Sequence, residues 1–404
     1  PRGGARNMQQ FRAANKRLHM KTLKTFYILG ALLLATTMRG QADMSKVDGN
    51  FKVENVEGIG VLYYNALETP FSVEGFAWRK DGEKLYRIPK QTASNPNLKN
   101  VAGLANHTAG GAVRFQTDSR NIALRYKLKD TTDMPHMTRS GACGFDVFIS
   151  PPGDQDSYLK TVHPPRRAIS EYSKEQVKIA QFQQRRMRQF TIWLPLYGGV
   201  ESLEVGIEKG AKILAPMPHK IKKPVLFYGS SITQGGCASR PANAYTTMLC
   251  RELDAEQINL GFSGNAKGEI EIARDIASLN LAAFVFDYDY NAPTPEHLEK
   301  THEPFFLEIR KKHPNLPIII LSRCSNMTDR RRDIVKQTYL NAVARGDKNV
   351  SFIDGAELFG TTDKKYPTVD GCHPNDLGFY LMFQRILPTL KETLINDSQD
   401  ASKN

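Results

Sequence analysis

The stretch Val225-Leu-Phe-Tyr-Gly-Ser-Ser-Ile-Thr-Gln-Gly235 decides the fold of the second half of this chain. Four apolar residues typical of a buried strand run into Gly229, and a turn of small residues then presents Ser231 ahead of a predicted helix. A serine at such a junction lies beyond the carboxyl edge of a sheet, beside the N–H groups that begin the helix. Taken alone, the pattern is also typical of a strand-to-helix turn in which a serine caps the helix.

The strand-then-helix pattern repeats towards the end of the chain. Buried-type strands are predicted at residues 225–228, 257–260, 283–287, 317–321 and 350–354, with helices at 244–253, 269–279, 295–312 and 329–344 and a last one from about 375 to 394. This alternation predicts a parallel sheet with helices on both faces. Ligands bind beyond the carboxyl ends of such strands. Ser231, Gly264, Asn291 and His373 all follow predicted strands.

The preceding part of the chain, from about residue 44 to 218, has a different periodicity. Alternating runs occur at residues 112–116, 122–128, 145–149, 190–194 and 203–207, with Gly, Pro and Asp between them. Alternation with a period of two is typical of antiparallel strands and predicts a β-sandwich. The proline-rich segment 211–224 is interpreted as the linker between two domains.

The basic charge of the chain is concentrated at its start. Residues 1–42 contain eight basic residues and no acidic ones, so only +5 of the formal charge of +13 falls on the rest, too little for a nucleic-acid-binding surface. The basic Met20-Lys-Thr-Leu-Lys24, the apolar run 26–35 and the small residues before position 43 are typical of an export signal. We therefore expect cleavage after Ala42 and a periplasmic or secreted protein without a stable membrane span. An N-terminal membrane anchor is the alternative.

A base for Ser231 is available far downstream, in Asp370-Gly-Cys-His373-Pro. A serine hydroxyl is a poor nucleophile unless a base lies within hydrogen-bond reach. His373 can take its proton, and Asp370 on the same loop is close enough to hold the other ring nitrogen. In isolation, Asp-x-x-His-Pro is typical of an exposed turn.

Four blocks together resemble the SGNH/GDSL hydrolase superfamily: Gly229-Ser-Ser231-Ile-Thr, Asn259-Leu-Gly-Phe-Ser-Gly264-Asn, Asp289-Tyr-Asn291 and Asp370-x-x-His373-Pro. The resemblance covers roughly the last 180 residues. Residues 85–89 and 190–197 resemble the β-sandwich domain that precedes the hydrolase in one branch. We therefore expect a jelly-roll-like sandwich at residues 43–218 and a flavodoxin-like hydrolase domain at 219–404.

The resemblance also implies a role for each site residue. Ser231 would be the nucleophile, His373 the general base and Asp370 its orienting carboxylate. The oxyanion hole would consist of the Ser231 and Gly264 N–H groups and the Asn291 amide. Ser230 stands where the family often has aspartate, and it is the second candidate for the nucleophile.

These observations predict a serine esterase that removes short acyl groups, such as acetyl, from carbohydrates. A lipid or thioester acyl hydrolase is the first alternative. A catalytically inert glycan-binding protein, with Trp78 and Trp193 as stacking platforms, is the second. No cofactor and no metal are implied, the expected partner is a small-molecule or carbohydrate ester, and the oligomeric state is not predicted.

The five cysteines form no C-x-x-C pair. Pairing of Ser231 with His373 would bring the loops of Cys237 and Cys372 to one rim, where the two thiols could form a disulfide. Two unpaired residues are the equally supported alternative.

Overall fold

Two antiparallel sheets form the first half of the chain in the computed structural model, which describes residues 53–165, 174–324, 330–362 and 365–400. Their strands are β1 (Glu54–Val56), β2 (Ile59–Asn65), β3 (Ser72–Glu74), β4 (Ala112–Thr117), β5 (Asn121–Leu128), β6 (Phe145–Ser150), β7 (Ser157–Val162), β8 (Glu175–Gln181), β9 (Arg188–Trp193), β10 (Val200–Ile207) and β11 (Ile213–Leu214). The strand orders are β1-β2-β10-β5-β8 and β11-β4-β9-β6-β7, and β3 pairs with β4. The rings of Tyr126 in β5 and Phe145 in β6 lie 4.9 Å apart, which joins the two sheets face to face.

A five-stranded parallel sheet forms the second half. Its strands are β12 (Ile221–Gly229), β13 (Ala255–Gly261), β14 (Ala283–Asp287), β15 (Ile318–Leu321) and β16 (Val350–Ile353), in the order β13-β12-β14-β15-β16. This is the flavodoxin-like order, in which the connections change direction at β12. The crevice beyond the carboxyl end of β12 is therefore the expected ligand site.

Helices flank this sheet and also occur in the first half. They are α1 (Lys90–Ala93), α2 (Lys99–Leu104), α3 (Arg139–Cys143), α4 (Ser231–Gln234), α5 (Tyr245–Leu253), α6 (Ile270–Ala277), α7 (Pro295–Lys312), α8 (Arg330–Ala344) and α9 (Asp376–Asp400). None of the helices in the described part of the chain combines the length and the apolar character needed to cross a bilayer.

The core around the parallel sheet draws residues from both halves of the chain. Leu226, Phe284 and Phe286 on the sheet are fully buried against Phe305 of α7. The same cluster contains buried residues of the α1–α2 region, namely Ile88, Leu98, Val101 and Ala105. Because burying one such large side chain contributes about 1.5–3 kcal/mol, the α1–α2 region is a substantial part of this core.

The predicted fold class is confirmed: antiparallel sheets precede a parallel sheet flanked by helices. The interpretation of 211–224 as a simple linker is wrong, because Ile213–Leu214 pairs with β4 and β12 already begins at Ile221. The expected signal segment, residues 1–42, lies outside the described residues. The boundary at 218/219 stays a prediction.

Candidate active site

Ser231 is held at the sharp turn between β12 and α4. The side chain of Ser230 accepts a hydrogen bond of 3.1 Å from the N–H of Ile232 and so caps α4. Gly229 is required just before the turn, since a Cβ there would lie 2.4 Å from the carbonyl oxygen of Asp287. The two serines thus differ in function: Ser230 is a buried cap, whereas Ser231 is partly exposed at the sheet edge.

The structure brings Ser231, His373 and Asp370 into one chain of hydrogen bonds. Ser231 Oγ lies 3.0 Å from His373 Nε2, and His373 Nδ1 lies 2.7 Å from Asp370 Oδ2. The other oxygen of Asp370 accepts the backbone N–H groups of Cys372 and His373, at 2.9 and 2.7 Å. Partial burial raises the pKa of Asp370, but these hydrogen bonds outweigh it and hold the pKa at about 2.

The loop that carries His373 is fixed at both ends. The N–H of Val369 donates to the carbonyl of His373 across the turn, at 2.9 Å. At the start of α9, Asp376 accepts the N–H of Ser239 at 2.8 Å and the amide of Asn243 at 2.9 Å. Asp376 therefore connects the loop that carries His373 to the segment that follows Ser231.

The three predicted oxyanion donors lie on the loops that follow β12, β13 and β14. Ser231 is the first residue of α4, where an N–H has no acceptor within the helix. Gly264 occupies an exposed turn at φ +69°, a left-handed conformation that glycine adopts without strain. The side-chain amide of Asn291 donates to the carbonyl of Phe262 at 3.0 Å, which fixes it against this turn. An amide carries a second N–H, which the predicted oxyanion role would use.

Arg87 is a site-supporting residue that the sequence analysis missed. Its fully buried guanidinium donates to the carbonyls of Asn259 and Gly261, both at 2.8 Å, at the entry to the Gly264 turn. Its other donors reach the carbonyls of Leu104 and His107. Burial lowers the pKa of Arg87 to about 9. The only sequence signal is a charged residue inside the otherwise apolar Leu85-Tyr-Arg-Ile.

Gln234 links the nucleophile helix to the same turn. Its side-chain oxygen accepts the N–H of Ser263 at 3.0 Å, and its amide nitrogen contacts the carbonyl of Leu196 and His107 Nδ1, at 3.1 and 3.0 Å. Tyr197 OH adds a 3.4 Å contact to the carbonyl of Ser231. Residues of the first half of the chain therefore contact both the helix that begins at Ser231 and the entry to the Gly264 turn.

Two charged side chains near Asn291, Asp287 and Arg331, form hydrogen bonds within the protein. Asp287 is buried and accepts the hydroxyls of Thr233 and Tyr245, at 2.8 and 3.0 Å. Burial raises the pKa of Asp287 to about 7. Arg331 donates to the carbonyls of Asp289 and Ala292 and so holds the Asn291 loop from outside.

The expected disulfide between Cys237 and Cys372 is not formed in this structure. Burial, together with the nearby Asp370 and Cys372, raises the pKa of Cys237 to about 12. The backbone of Cys237 lies at φ +80°. A non-glycine residue in this region is strained.

The two tryptophans differ from each other. Trp193 is only 6% exposed within β9, so it is a core residue and not a stacking platform. Trp78 is partly buried and lines a cleft of about 850 Å³ in the first half of the chain, together with Tyr86, Asn106 and Lys129.

Comparison with protein families gives two matches. Residues 61–213 match the N-terminal domain of SGNH-hydrolase-type esterases, known as GxDLY. Residues 222–391 match the GDSL-like lipase/acylhydrolase family. No curated protein matches the sequence significantly.

Solved structures share the whole two-part arrangement. A GDSL-like lipase from Bacteroides ovatus is 29% identical, with a TM-score of 0.72 over 83% of this chain and 98% of that one. A salicylyl-acyltransferase of a tetracycline biosynthetic pathway is 18% identical, with a TM-score of 0.67 over 80% and 95%. A family two carbohydrate esterase from Clostridium thermocellum is 16% identical, with a TM-score of 0.53 over 71% and 93%. The last two similarities concern the fold alone.

Proposed function

Because this chain belongs to the GDSL-like lipase/acylhydrolase family, with the N-terminal domain of SGNH-type esterases in front, we propose that it removes short acyl groups from carbohydrate hydroxyls. It is a carboxylic ester hydrolase; the acyl length, the alcohol and the residue roles are the proposal. The observation that carries these roles is the chain of hydrogen bonds from Ser231 Oγ through His373 to Asp370.

The first half-reaction forms an acyl-enzyme. Ser231 Oγ attacks the ester carbonyl while His373 Nε2, 3.0 Å away, takes the hydroxyl proton. Asp370 keeps the Nδ1–H tautomer and stabilises the imidazolium that forms. The carbonyl oxygen becomes an oxyanion that the Ser231 and Gly264 N–H groups and the Asn291 amide stabilise. The imidazolium then protonates the leaving alcohol as the C–O bond breaks.

The second half-reaction releases the acid. A water molecule gives its proton to His373 Nε2 and attacks the acyl carbon, and the same donors stabilise the second oxyanion. Collapse of that intermediate returns the proton to Ser231 Oγ. The acid leaves and the resting hydrogen bonds form again.

The polar character of the loops around the site supports short acyl groups. A lipase requires a broad apolar surface beside the nucleophile, whereas these loops carry small or polar residues such as 234–240 and 265–268. Tyr366 is 63% exposed and is available to contact a sugar. The guanidinium of Arg240 instead forms an ion pair, at 3.1 Å, with the buried Asp146.

A series of chromogenic esters from acetate to octanoate, together with acetylated oligosaccharides, tests the proposal. Each methylene buried in an apolar groove contributes about 0.8 kcal/mol, so kcat/KM of a long-chain enzyme rises steeply along the series. We expect it to fall, with acetylated oligosaccharides cleaved. Ser231→Ala should lose at least about 10³-fold in kcat, and Ser230→Ala should lose only its cap, about 1 kcal/mol of stability.

The opposite results separate the alternatives. A rise through octanoate, with acetylated sugars untouched, would favour the lipid or thioester acyl hydrolase. No turnover of any ester, with oligosaccharide binding retained, would favour the inert glycan-binding protein, for which the cleft at Trp78 is the remaining platform.

We also propose that the protein is exported to the periplasm or the medium, on the pattern of residues 1–42. N-terminal sequencing of the mature protein should then begin at Asp43. Soluble protein that retains Lys21 would contradict export.

A further inference from the structure

A thiol and two imidazoles meet at the mouth of the site. The ligand atoms of His136, Cys237 and His373 all lie within 4.8 Å of one another. The rings of His136 and His373 are 5.7 Å apart. His136 is exposed, so its imidazole can rotate towards the other two groups. The three residues come from separate segments: a loop before α3, the turn after α4 and the loop before α9.

The contact with Asp370 that suits His373 to act as a base also suits it to bind a metal ion. Asp370 holds Nδ1 at 2.7 Å, which leaves Nε2 as the nitrogen with an available lone pair. Metal-binding histidines commonly donate their second ring N–H to a carboxylate in this way. The Asp370–His373 pair therefore matches one limb of a zinc site.

Cys237 lies in a strained turn. Its backbone is held at φ +80°, where a Cβ is unfavourable, although Gly235 and Gly236 stand just before it in the same turn. Such strain persists where the surroundings impose it, and it concentrates at functional sites. In the mechanism above the Cys237 thiol takes no part.

We propose that His136, Cys237 and His373 form an inhibitory binding site for a borderline-soft divalent cation, Zn²⁺ above all. Two imidazoles and one thiolate are ligands that zinc prefers, whereas Mg²⁺ and Ca²⁺ require oxygen ligands. Three protein ligands leave a fourth position, which a water molecule or Ser231 Oγ can occupy.

Occupation of this site switches off the base. The cation takes the Nε2 lone pair that otherwise accepts the proton of Ser231, and the Cys237 thiol releases its proton to solvent as the metal–sulfur bond forms. No electron is transferred, so a chelator restores the resting state. The inhibition rests on the proposed function, but the metal site itself does not.

The test uses two readouts on the full chain. Metal binding is measured directly, by titration of the chelator-treated protein with Zn²⁺ and by the thiolate-to-metal absorption of Co²⁺. Inhibition is measured as the ratio of ester hydrolysis with and without Zn²⁺, so a changed basal rate does not affect it. We expect one equivalent of Zn²⁺ to bind and to suppress hydrolysis, and EDTA to reverse the suppression.

Variants locate the site. His136→Asn and Cys237→Ser should each weaken zinc binding and inhibition by about 10-fold or more, and Cys237 variants should lose the thiolate–Co²⁺ absorption. Cys237→Gly suits the left-handed backbone and provides a folded thiol-free protein if the serine variant is unstable. The matched controls are Cys372→Ser, the other thiol of this rim, and His163→Asn, an exposed histidine outside the trio.

Each contrary outcome overturns a defined part. Zinc affinity unchanged in both His136 and Cys237 variants, or lost in Cys372→Ser instead, would overturn the site. Stoichiometric binding that leaves hydrolysis unaffected would overturn the inhibitory role. Absence of hydrolysis without zinc, with Co²⁺ absorption still present, would refute the proposed function and leave the metal site standing.

Discussion

Asn291 has two amide hydrogens, and the carbonyl of Phe262 accepts one of them. If the second serves the oxyanion, Asn291→Ala should lower kcat by about 10²–10³-fold, which corresponds to about 2.7–4 kcal/mol of barrier. Asn265→Ala is the matched control, because its amide only closes the turn onto Ser263. It should cost no more than one ordinary hydrogen bond, about 1 kcal/mol or fivefold. Equal losses in the two variants would remove Asn291 from the oxyanion hole.

Asp370 gives a prediction about acid. Its folded pKa of about 2 lies below the unfolded value of about 3.9. Its contribution to stability is therefore present above about pH 4 and lost as the pH falls through about 2. Urea unfolding of Asp370→Asn should depend less on pH across this window than that of the wild type. An identical pH dependence in both proteins would show that the carboxylate is not held as described.

At this scale the sequence points to the candidate reacting groups more clearly than to the residues that hold them in place. Ser231 and His373 lie in short motifs, so both can be identified as candidates from the sequence alone. Arg87 cannot be identified in this way, because its acceptors are main-chain carbonyls, two of them about 170 residues away, and no side-chain pattern encodes such contacts. The absence of a disulfide between Cys237 and Cys372 likewise depends on geometry that their spacing in the sequence does not determine.

Among the elements, the connection between β13 and the Gly264 turn depends most on Arg87. Arg87→Met should remove the side-chain donor of four carbonyls, two of them at the entry to the Gly264 turn, and let that turn shift. Each carbonyl left buried without a partner should cost about 1–3 kcal/mol. We expect a lower melting temperature and a fall in kcat that exceeds any change in KM. Arg79→Met is the matched control, because Arg79 also donates to main-chain carbonyls, those of Leu67 and Glu83, away from the oxyanion turn. A stability loss in both variants with kcat unchanged in both would make Arg87 purely structural.

The elements of the second half agree closely with the sequence prediction. The predicted strand at 283–287 and helix at 295–312 have the bounds that the structure gives to β14 and α7. Buried apolar runs and helical periods are local signals, so they are readable from the chain. The pairing of Ile213–Leu214 with β4 joins segments that are far apart in the sequence, and local patterns do not reveal it. For that reason the sequence predicts only a linker there.

Over the whole molecule, a buried ionic cluster joins the two halves and responds to alkali. His219 contacts Glu74 of β3 at 2.9 Å and Asp254, just before β13, at 2.8 Å. Burial and the nearby Arg114 lower the pKa of His219, but hydrogen bonds to the two carboxylates outweigh them and raise it to about 9. Since the unfolded value is about 6.5, this contribution to stability is complete below about pH 6.5 and lost as the pH rises through about 9.

Unfolding of the wild type should therefore require less urea as the pH rises from about 6.5 to 9, and His219→Gln should flatten that slope. His313→Gln is the control, because that ring contacts only the carbonyl of Ala277 among the described hydrogen bonds. A slope that survives in His219→Gln would place the titrating group elsewhere.

The periodicity of the sequence separates the two halves more sharply than the packing does. The change from period two to strand–helix alternation suggests independent domains, yet Ile88, Leu98 and Val101 lie in the core of the parallel sheet. Contacts between segments so far apart leave no periodic trace. The described residues from 53 onward accordingly form one compact unit.

The hydrogen bonds between Arg87 and the second half of the chain have a consequence for which positions can vary in sequence. Every acceptor of its guanidinium is a peptide oxygen, at Leu104, His107, Asn259 and Gly261. Since every residue type carries a peptide oxygen, the side chains at the four acceptor positions can change without loss of these hydrogen bonds. The donor has no such freedom, because one arginine side chain supplies all four hydrogen bonds. Substitutions of the acceptor residues should therefore be tolerated as far as this contact is concerned, whereas substitutions of Arg87 should not.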